Sequence, residues 1–282
     1  MPTSQSRTRT LLALCLGWGL GAPASAETTE FEYREAWGYA VVVPVQIHDV
    51  GRFEFVLDTG TDVTVVRDDL ARRLGLVPTS RVELVTVAGQ RLVAQARLSG
   101  LQLGTVRLGP MDVLIHEMAA ARAAEPRLAG ILGRNALAEV SLTIDHARRR
   151  VVLGGPPVGS SVAHEDVDGR PVIDARLGCA GETFRLALDS GAARLLLFGG
   201  ARPLPVVTRA EVRAQTHSGT AMLRAGRLDT LCVGPARLRD VPVAVDDRRV
   251  AGPRREDGLL PTRLFARVHL DPRRRQVRLE PW

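Results

Sequence analysis

Short stretches in which apolar and polar residues alternate run through most of this chain. Arg52-Phe53-Glu54-Phe55-Val56-Leu57 and Thr183-Phe184-Arg185-Leu186-Ala187-Leu188 are the two clearest, and each leads straight into an acidic residue and a glycine, Asp58-Thr59-Gly60 and Asp189-Ser190-Gly191. Period-two alternation predicts β-strands, so each Asp falls where a strand turns. The same pattern predicts strands over 41–47, 63–66, 81–86, 91–98, 106–108 and 111–116. One short helix is expected over 68–75, with Asp68 and Asp69 at its start and Gly75 at its stop. Residues 27–39 read as a polar lead-in, and Gly154-Gly155-Pro156-Pro157-Val158-Gly159-Ser160-Ser161 as a linker.

The two strand–Asp units head two copies of a longer pattern. Thr86-Val87-Ala88-Gly89-Gln90 follows the first Asp at nearly the spacing at which Thr216-His217-Ser218-Gly219-Thr220 follows the second, and each reads as a hairpin tip. Gly130-Ile131-Leu132-Gly133-Arg134-Asn135 is matched by Gly258-Leu259-Leu260-Pro261-Thr262-Arg263. Leu142-Thr143-Ile144-Asp145 with Arg148-Arg149-Arg150 is matched by Val268-His269-Leu270-Asp271 with Arg273-Arg274-Arg275. An internal duplication explains all of this, and it predicts an all-β chain of two related lobes, 27–157 and 158–282.

Residues 1–26 carry the features of an export signal: Arg7 and Arg9, an apolar run from Leu11 to Leu20, and Ala24-Ser25-Ala26 before Glu27. The run is short and interrupted by Gly17, Trp18 and Gly19, so no stable membrane anchor is expected. Leu14 before Cys15 does not suit lipoprotein processing. The expected location is the bacterial periplasm or the medium.

The net charge of +7 rests entirely on arginine, for the chain has no lysine. This reads as coding bias rather than as a polyanion-binding surface. The Arg148–150 and Arg273–275 clusters occupy equivalent turns and have no interleaved aromatics on which bases could stack, so no nucleic-acid partner is expected. The histidines lack metal-ligand spacing and read as surface or packing residues; neither metal nor cofactor is expected. Cys179 and Cys232 either bridge, as an oxidising compartment permits, or stand separately as a loop residue and a small hydrophobe.

Two carboxylates brought together between related lobes cannot both ionise cheaply, so they share a proton. A water between them would lose a proton to the carboxylate while attacking a peptide carbonyl, and the protonated partner would donate to the developing oxyanion. Gly60 and Gly191 let the backbone approach such a site, and Gly-tipped hairpins can close over a substrate.

On these residues the chain resembles the retropepsin and pepsin superfamily of aspartic peptidases, over nearly all of residues 27–282. Gly133-Arg134-Asn135 and Ala192 are of the retroviral type, whereas both copies in one chain is the pepsin arrangement. The resemblance implies a bilobal acid-protease fold of two pseudo-symmetric retropepsin-like β-barrel lobes, working as a monomeric pseudo-dimer on a peptide or protein. It implies Asp58 and Asp189 as the catalytic pair, supported by Thr59, Gly60, Thr61, Ser190 and Gly191, with the Thr59 and Ser190 hydroxyls gripping across the interface. It implies flaps at Val87, Ala88 and Gly89 and at Ser218 and Gly219, and an ion pair between Asp62 and Arg134, whose counterparts here are Ala193 and Thr262. Thr61 would donate to Asp58 while Ala192 offers nothing to Asp189, which biases the shared proton toward Asp189. Neither flap has the pepsin Tyr, and Pro261 replaces a Gly. Asp189-Ser190-Gly191 is also similar to the nucleophile segment of trypsin-like peptidases, but Leu188 stands where Gly is required. The rival to an enzyme is an inactive peptide-binding module of the same fold.

Overall fold

A computed structural model describes residues 28–86, 89–199, 204, 207–216, 219–248 and 255–282. The expected leader and the tip residues Val87, Ala88 and Ser218 lie outside the described residues.

The protein is all-β: the described residues form three sheets, with short helices between strands. In the first lobe the sheet runs from Pro78–Thr86 through Gly89–Leu98, Met111–His116, Thr64–Arg67 and Leu128–Leu132 to Gly51–Leu57, and on to Ala40–Ile47, Leu101–Leu103 and Val106–Leu108. In the second lobe it runs from His164–Val167 through Arg170–Leu177, Thr183–Asp189, Gly258–Pro261, Leu195–Phe198, Ala236–Asp246 and Gly219–Val233 to Val207–Thr216. Arg170–Leu177 also pairs with Gly219–Val233, which curls this sheet back on itself.

The repeats correspond in strand order, parallel pairs included, except that the long strands Gly219–Val233 and Ala236–Asp246 take the places of four shorter strands of the first lobe. Leu128–Leu132 lies parallel to the strand that delivers Asp58, with Leu132 opposite Leu57, and Gly258–Pro261 lies parallel to the strand that delivers Asp189, with Leu260 opposite Leu188. Both delivering strands are sealed near their acidic ends: Phe55, Leu57, Phe184, Leu186, Ala187 and Leu188 are all buried. Each buried Phe or Leu contributes about 1.5–3 kcal/mol, so the backbone that aims the carboxyls is held by the core of its own lobe.

The lobes are joined by a six-stranded sheet with three strands from the first half and three from the second: Thr29–Glu32, Arg150–Leu153, Leu142–Asp145, Arg267–Asp271, Gln276–Glu280 and Ser160–Val162. Leu142–Asp145 pairs antiparallel with Arg267–Asp271, and the equivalent residues Thr143 and His269 face each other there, Oγ1 to Nδ1 at 2.9 Å in a buried contact. The polar lead-in of residues 27–39 therefore contains strands Thr29–Glu32 and Arg34–Ala36. Their partners are Arg150–Leu153, more than a hundred residues away, and Ala40–Ile47. Ser160 and Ser161, expected in the linker, belong to a strand for the same reason, since they pair with residues 278 and 279.

Two other expectations were short. The hairpin strands of the first lobe span Pro78–Thr86 and Gly89–Leu98, longer than 81–86 and 91–98, because cross-strand bonding carries pairing through residues with weak alternation. Cys179 and Cys232 form a disulfide, which ties the end of Arg170–Leu177 to the neighbouring Gly219–Val233. On the chain-entropy model, a cross-link spanning 53 residues restricts the unfolded chain enough to contribute about 4 kcal/mol. Among the described residues no helix is long and apolar enough to cross a membrane.

Candidate active site

The acidic ends of Gly51–Leu57 and Thr183–Asp189 meet on the pseudo-twofold axis. Asp58 is tied to its own lobe by its backbone N–H, which donates to the Leu132 carbonyl at 3.0 Å. Its Oδ1 accepts from the Gly60 N–H at 2.9 Å and its Oδ2 from the Thr61 hydroxyl at 2.8 Å. Asp189 Oδ1 accepts from the Gly191 N–H at 2.7 Å, and the Ala192 N–H adds a further bond. The side chain of Ala192 has nothing to donate.

Four hydrogen bonds between the lobes fix the two turns to one another. Thr59 Oγ1 donates to the Leu188 carbonyl at 3.2 Å and accepts from the Ser190 N–H at 3.0 Å, while Ser190 Oγ donates to the Leu57 carbonyl at 2.9 Å and accepts from the Thr59 N–H at 2.9 Å. Both hydroxyl residues are buried. A hydroxyl is the side chain that can donate and accept at once, which is why Thr and Ser interchange here. The glycines are required by close approach: a Cβ on Gly60 would stand 2.5 Å from Cγ of Asp189, and one on Gly191 would stand 2.7 Å from Cγ of Asp58. Each carboxyl group thus rests on the other lobe's glycine.

Burial and then the neighbouring charge of Asp58 push the Asp189 carboxyl well above the usual carboxylate range, against the lowering effect of the Gly191 and Ala192 N–H groups. Tyr39, at the tip of the first lobe's N-terminal hairpin, is raised by burial and next by the charges of Asp189 and Asp58, against the lowering effect of Arg263.

Asp62 Oδ1 receives Nη2 of Arg134 at 2.6 Å. The contact is a cross-lobe clasp, wider than a pair within one lobe: Arg134 Nη1 donates to the Asp168 carbonyl at 3.0 Å, and Arg170 of the second lobe lies 3.6 Å from Asp62 and 3.2 Å from Glu256. Arg134 is largely covered, while Asp62 is half exposed. Next in the chain, Asn135 Oδ1 accepts from the N–H and the hydroxyl of Thr64, and Thr64 Oγ1 accepts from the Gly133 N–H.

In the second lobe the equivalent place is filled by Thr262, whose hydroxyl meets Nε2 of His146 at 3.1 Å; Nδ1 of His146 in turn meets the Tyr33 hydroxyl at 3.1 Å. Burial, reinforced by the charge of Arg263, lowers His146 to about 4. Sequence reasoning missed Arg170 and this Tyr33–His146–Thr262 bridge. No local signal marked them, because each acts on a residue of the other lobe or of the N-terminal strand. Gly89 and Gly219 begin the second strands of two equivalent hairpins, closed by pairs Thr86–Gly89 and Thr216–Gly219. Among the described residues no group of His, Cys, Asp or Glu is arranged to hold a metal ion.

Fold and site together define a bilobal all-β protein with paired Asp-Thr/Ser-Gly turns meeting at its centre. The chain matches the aspartyl protease family over residues 43–136 and 173–273, one segment in each lobe and well over half of its length together, and it belongs to that family. No match is found among curated proteins.

Proposed function

We propose that this chain is an exported aspartic endopeptidase in which Asp58 and Asp189 together activate the water that hydrolyses a peptide bond. The observation that carries this reading is the reciprocal seating of each carboxyl on the other lobe's glycine, held by the Thr59–Ser190 hydroxyl exchange. The raised Asp189 is the group that keeps the shared proton, and Asp58, already accepting from Gly60 and Thr61, is the carboxylate. A water between them gives its proton to Asp58 as its oxygen attacks the scissile carbonyl, and Asp189 donates to the carbonyl oxygen. Collapse of the tetrahedral intermediate returns a proton to the leaving amine. The Gly89 and Gly219 hairpins serve in this reading as covers over the substrate.

Export through residues 1–26 agrees with the Cys179–Cys232 disulfide, a bond that persists in oxidising compartments. The lobes divide at 157/158, and the working unit is the single chain. Residues 27–282 incubated with a diverse peptide library from acid to neutral pH, analysed by mass spectrometry, are expected to cleave in a manner abolished by Asp58→Asn. Binding without turnover at any pH would defeat the enzymatic reading and leave a peptide-binding module.

A further inference from the structure

We propose that the junction between the lobes is an acid-sensitive lock, in which His146 and His269, each hydrogen-bonded across the boundary between the two halves of the chain, hold the lobes together at neutral pH and release them reversibly in acid. The inference concerns the joining sheet and stands whether or not the paired carboxyls turn over a substrate.

In that sheet the two halves meet through one ladder, Leu142–Asp145 against Arg267–Asp271. His269 sits inside it, 1 % exposed, with Nδ1 2.9 Å from the hydroxyl of Thr143 directly opposite. His146 follows at the end of the ladder, where its N–H donates to the Ala266 carbonyl at 2.8 Å. The ring of His146 bridges two hydroxyls, that of Tyr33 from the N-terminal segment and that of Thr262 from the second lobe, each at 3.1 Å. Thr262 comes directly after Pro261, which pairs with Asp189, so this bridge is anchored beside the strand that delivers one of the carboxyls.

A neutral imidazole donates from one ring nitrogen and accepts at the other, which suits a bridge between hydroxyls; an imidazolium donates from both and brings a charge into the sheet. Burial disfavours that charge at both histidines. Around His146 the second lobe's Arg263 also opposes it and Asp145 favours it, while the Tyr33 phenol stays uncharged, pushed up to about 12 by burial and then by Glu35. Around His269, Arg278 on the next strand and Arg274 in the following turn oppose the charge and Asp271 favours it. Both acids are already engaged. Asp145 Oδ1 accepts from the Arg148 N–H at 2.8 Å with Arg148 Nη1 3.5 Å from its Oδ2, and Asp271 repeats this arrangement with Arg274 at 3.0 and 3.4 Å. Opening the ladder lets both rings take protons from water, so acid favours the open form. His146, lowered in the closed chain from 6.5 to about 4, shifts the opening equilibrium about 100-fold between about pH 7 and pH 4, and His269 adds in the same direction.

The test is amide hydrogen exchange on residues 27–282, corrected for the intrinsic pH dependence of exchange, with NMR of the imidazole Cε1–H groups to follow the rings. Between about pH 7 and pH 4.5, protection of Leu142–Asp145 and Arg267–Asp271 is expected to fall about 10- to 100-fold while Gly51–Leu57 and Thr183–Asp189 keep theirs, and return to neutral pH is expected to restore it. His146→Gln and His269→Gln, whose amides donate and accept without titrating, are each expected to remove part of the fall, and the double variant all of it. The opposite proton preference of Asp189 is common to parent and variants, so their difference isolates the histidines. Flat protection in the parent, rings that titrate near 6.5 in the closed chain, loss of protection in the joining strands and the lobe cores together, or a fall that survives in the double variant would overturn the proposal. The first three outcomes are read on the parent alone, should a variant fail to fold.

Discussion

The two lobes present the same carboxyl, the same glycine contact and the same hydroxyl exchange, yet the layer behind each Asp is built from opposite materials. Behind Asp58 the layer is polar: Thr64, Gly133 and Asn135 share hydrogen bonds, and Arg134 with Asp62 reaches over to Asp168 and Arg170. Behind Asp189 the equivalents are Leu195, Pro261 and Arg263, with Leu195 fully buried and Pro261 unable to donate. The substitutions are matched: losing Thr64 alone would leave Asn135 and the Gly133 N–H without their partner, whereas the second lobe exchanges Thr64 for Leu195, Gly133 for Pro261 and Asn135 for Arg263 together. Duplicated lobes thus keep what the chemistry touches and let supporting layers diverge as units.

The sharpest way to probe this comparison is at the part that stayed the same. Asp58→Asn and Asp189→Asn are each expected to lower kcat/KM by about 10³-fold or more, since either acid alone lacks its partner. Steady-state cleavage assays decide this, and a surviving Asp189→Asn enzyme would mean that the first lobe works with a second copy of itself.

Next come the parts that diverged. Arg134→Ala removes the centre of the clasp, leaving half-exposed Asp62 with Arg170 alone and the Asp168 carbonyl without its donor, with an expected loss of about 1–2 kcal/mol in urea unfolding. Thr262→Ala at the matched position is expected to cost about 1 kcal/mol, the scale of one neutral hydrogen bond. Equal losses would show that the clasp is a surface feature without structural weight.

The pH dependence of stability separates two buried groups of opposite sign. Asp189 binds its proton more tightly in the folded chain, so above the usual carboxylate range of about 4 the folded state is the one holding an extra proton, and stability falls as pH rises toward its raised value. Asp189→Asn is therefore expected to be more stable than the parent at neutral pH, with the gap closing near pH 4. His146 behaves inversely: its folded value is lowered from 6.5 to about 4, so stability falls as pH drops through that window. His146→Gln is expected to remove this acid-side loss. Thermal melts from pH 4 to 8 report both.

The smallest expected effect lies in the one asymmetry that touches the pair directly. Thr61→Ala is expected to move the acid limb of the pH–rate profile upward, and Ala192→Thr, which gives Asp189 a hydroxyl neighbour, to shift it toward a symmetric pair. A Thr61→Ala profile identical to the parent's would remove the basis for assigning the carboxylate to Asp58.

The sequence by itself determined the all-β class, the duplication, the strand that carries each Asp and the meeting of Asp58 with Asp189, because alternation and a repeated motif are local signals that any strand-and-turn chain must display. It also located Asp62 and Arg134, but as a pair within one lobe. Only the tertiary structure decided that Arg170 and Asp168 complete that clasp, that His146 links Tyr33 to Thr262, that Thr29–Glu32 is a strand, and that Cys179 is bonded to Cys232. Each of these is set by a partner distant in sequence, and how far apart two residues fall along a chain carries no information about which backbone or side chain will satisfy them once the lobes close.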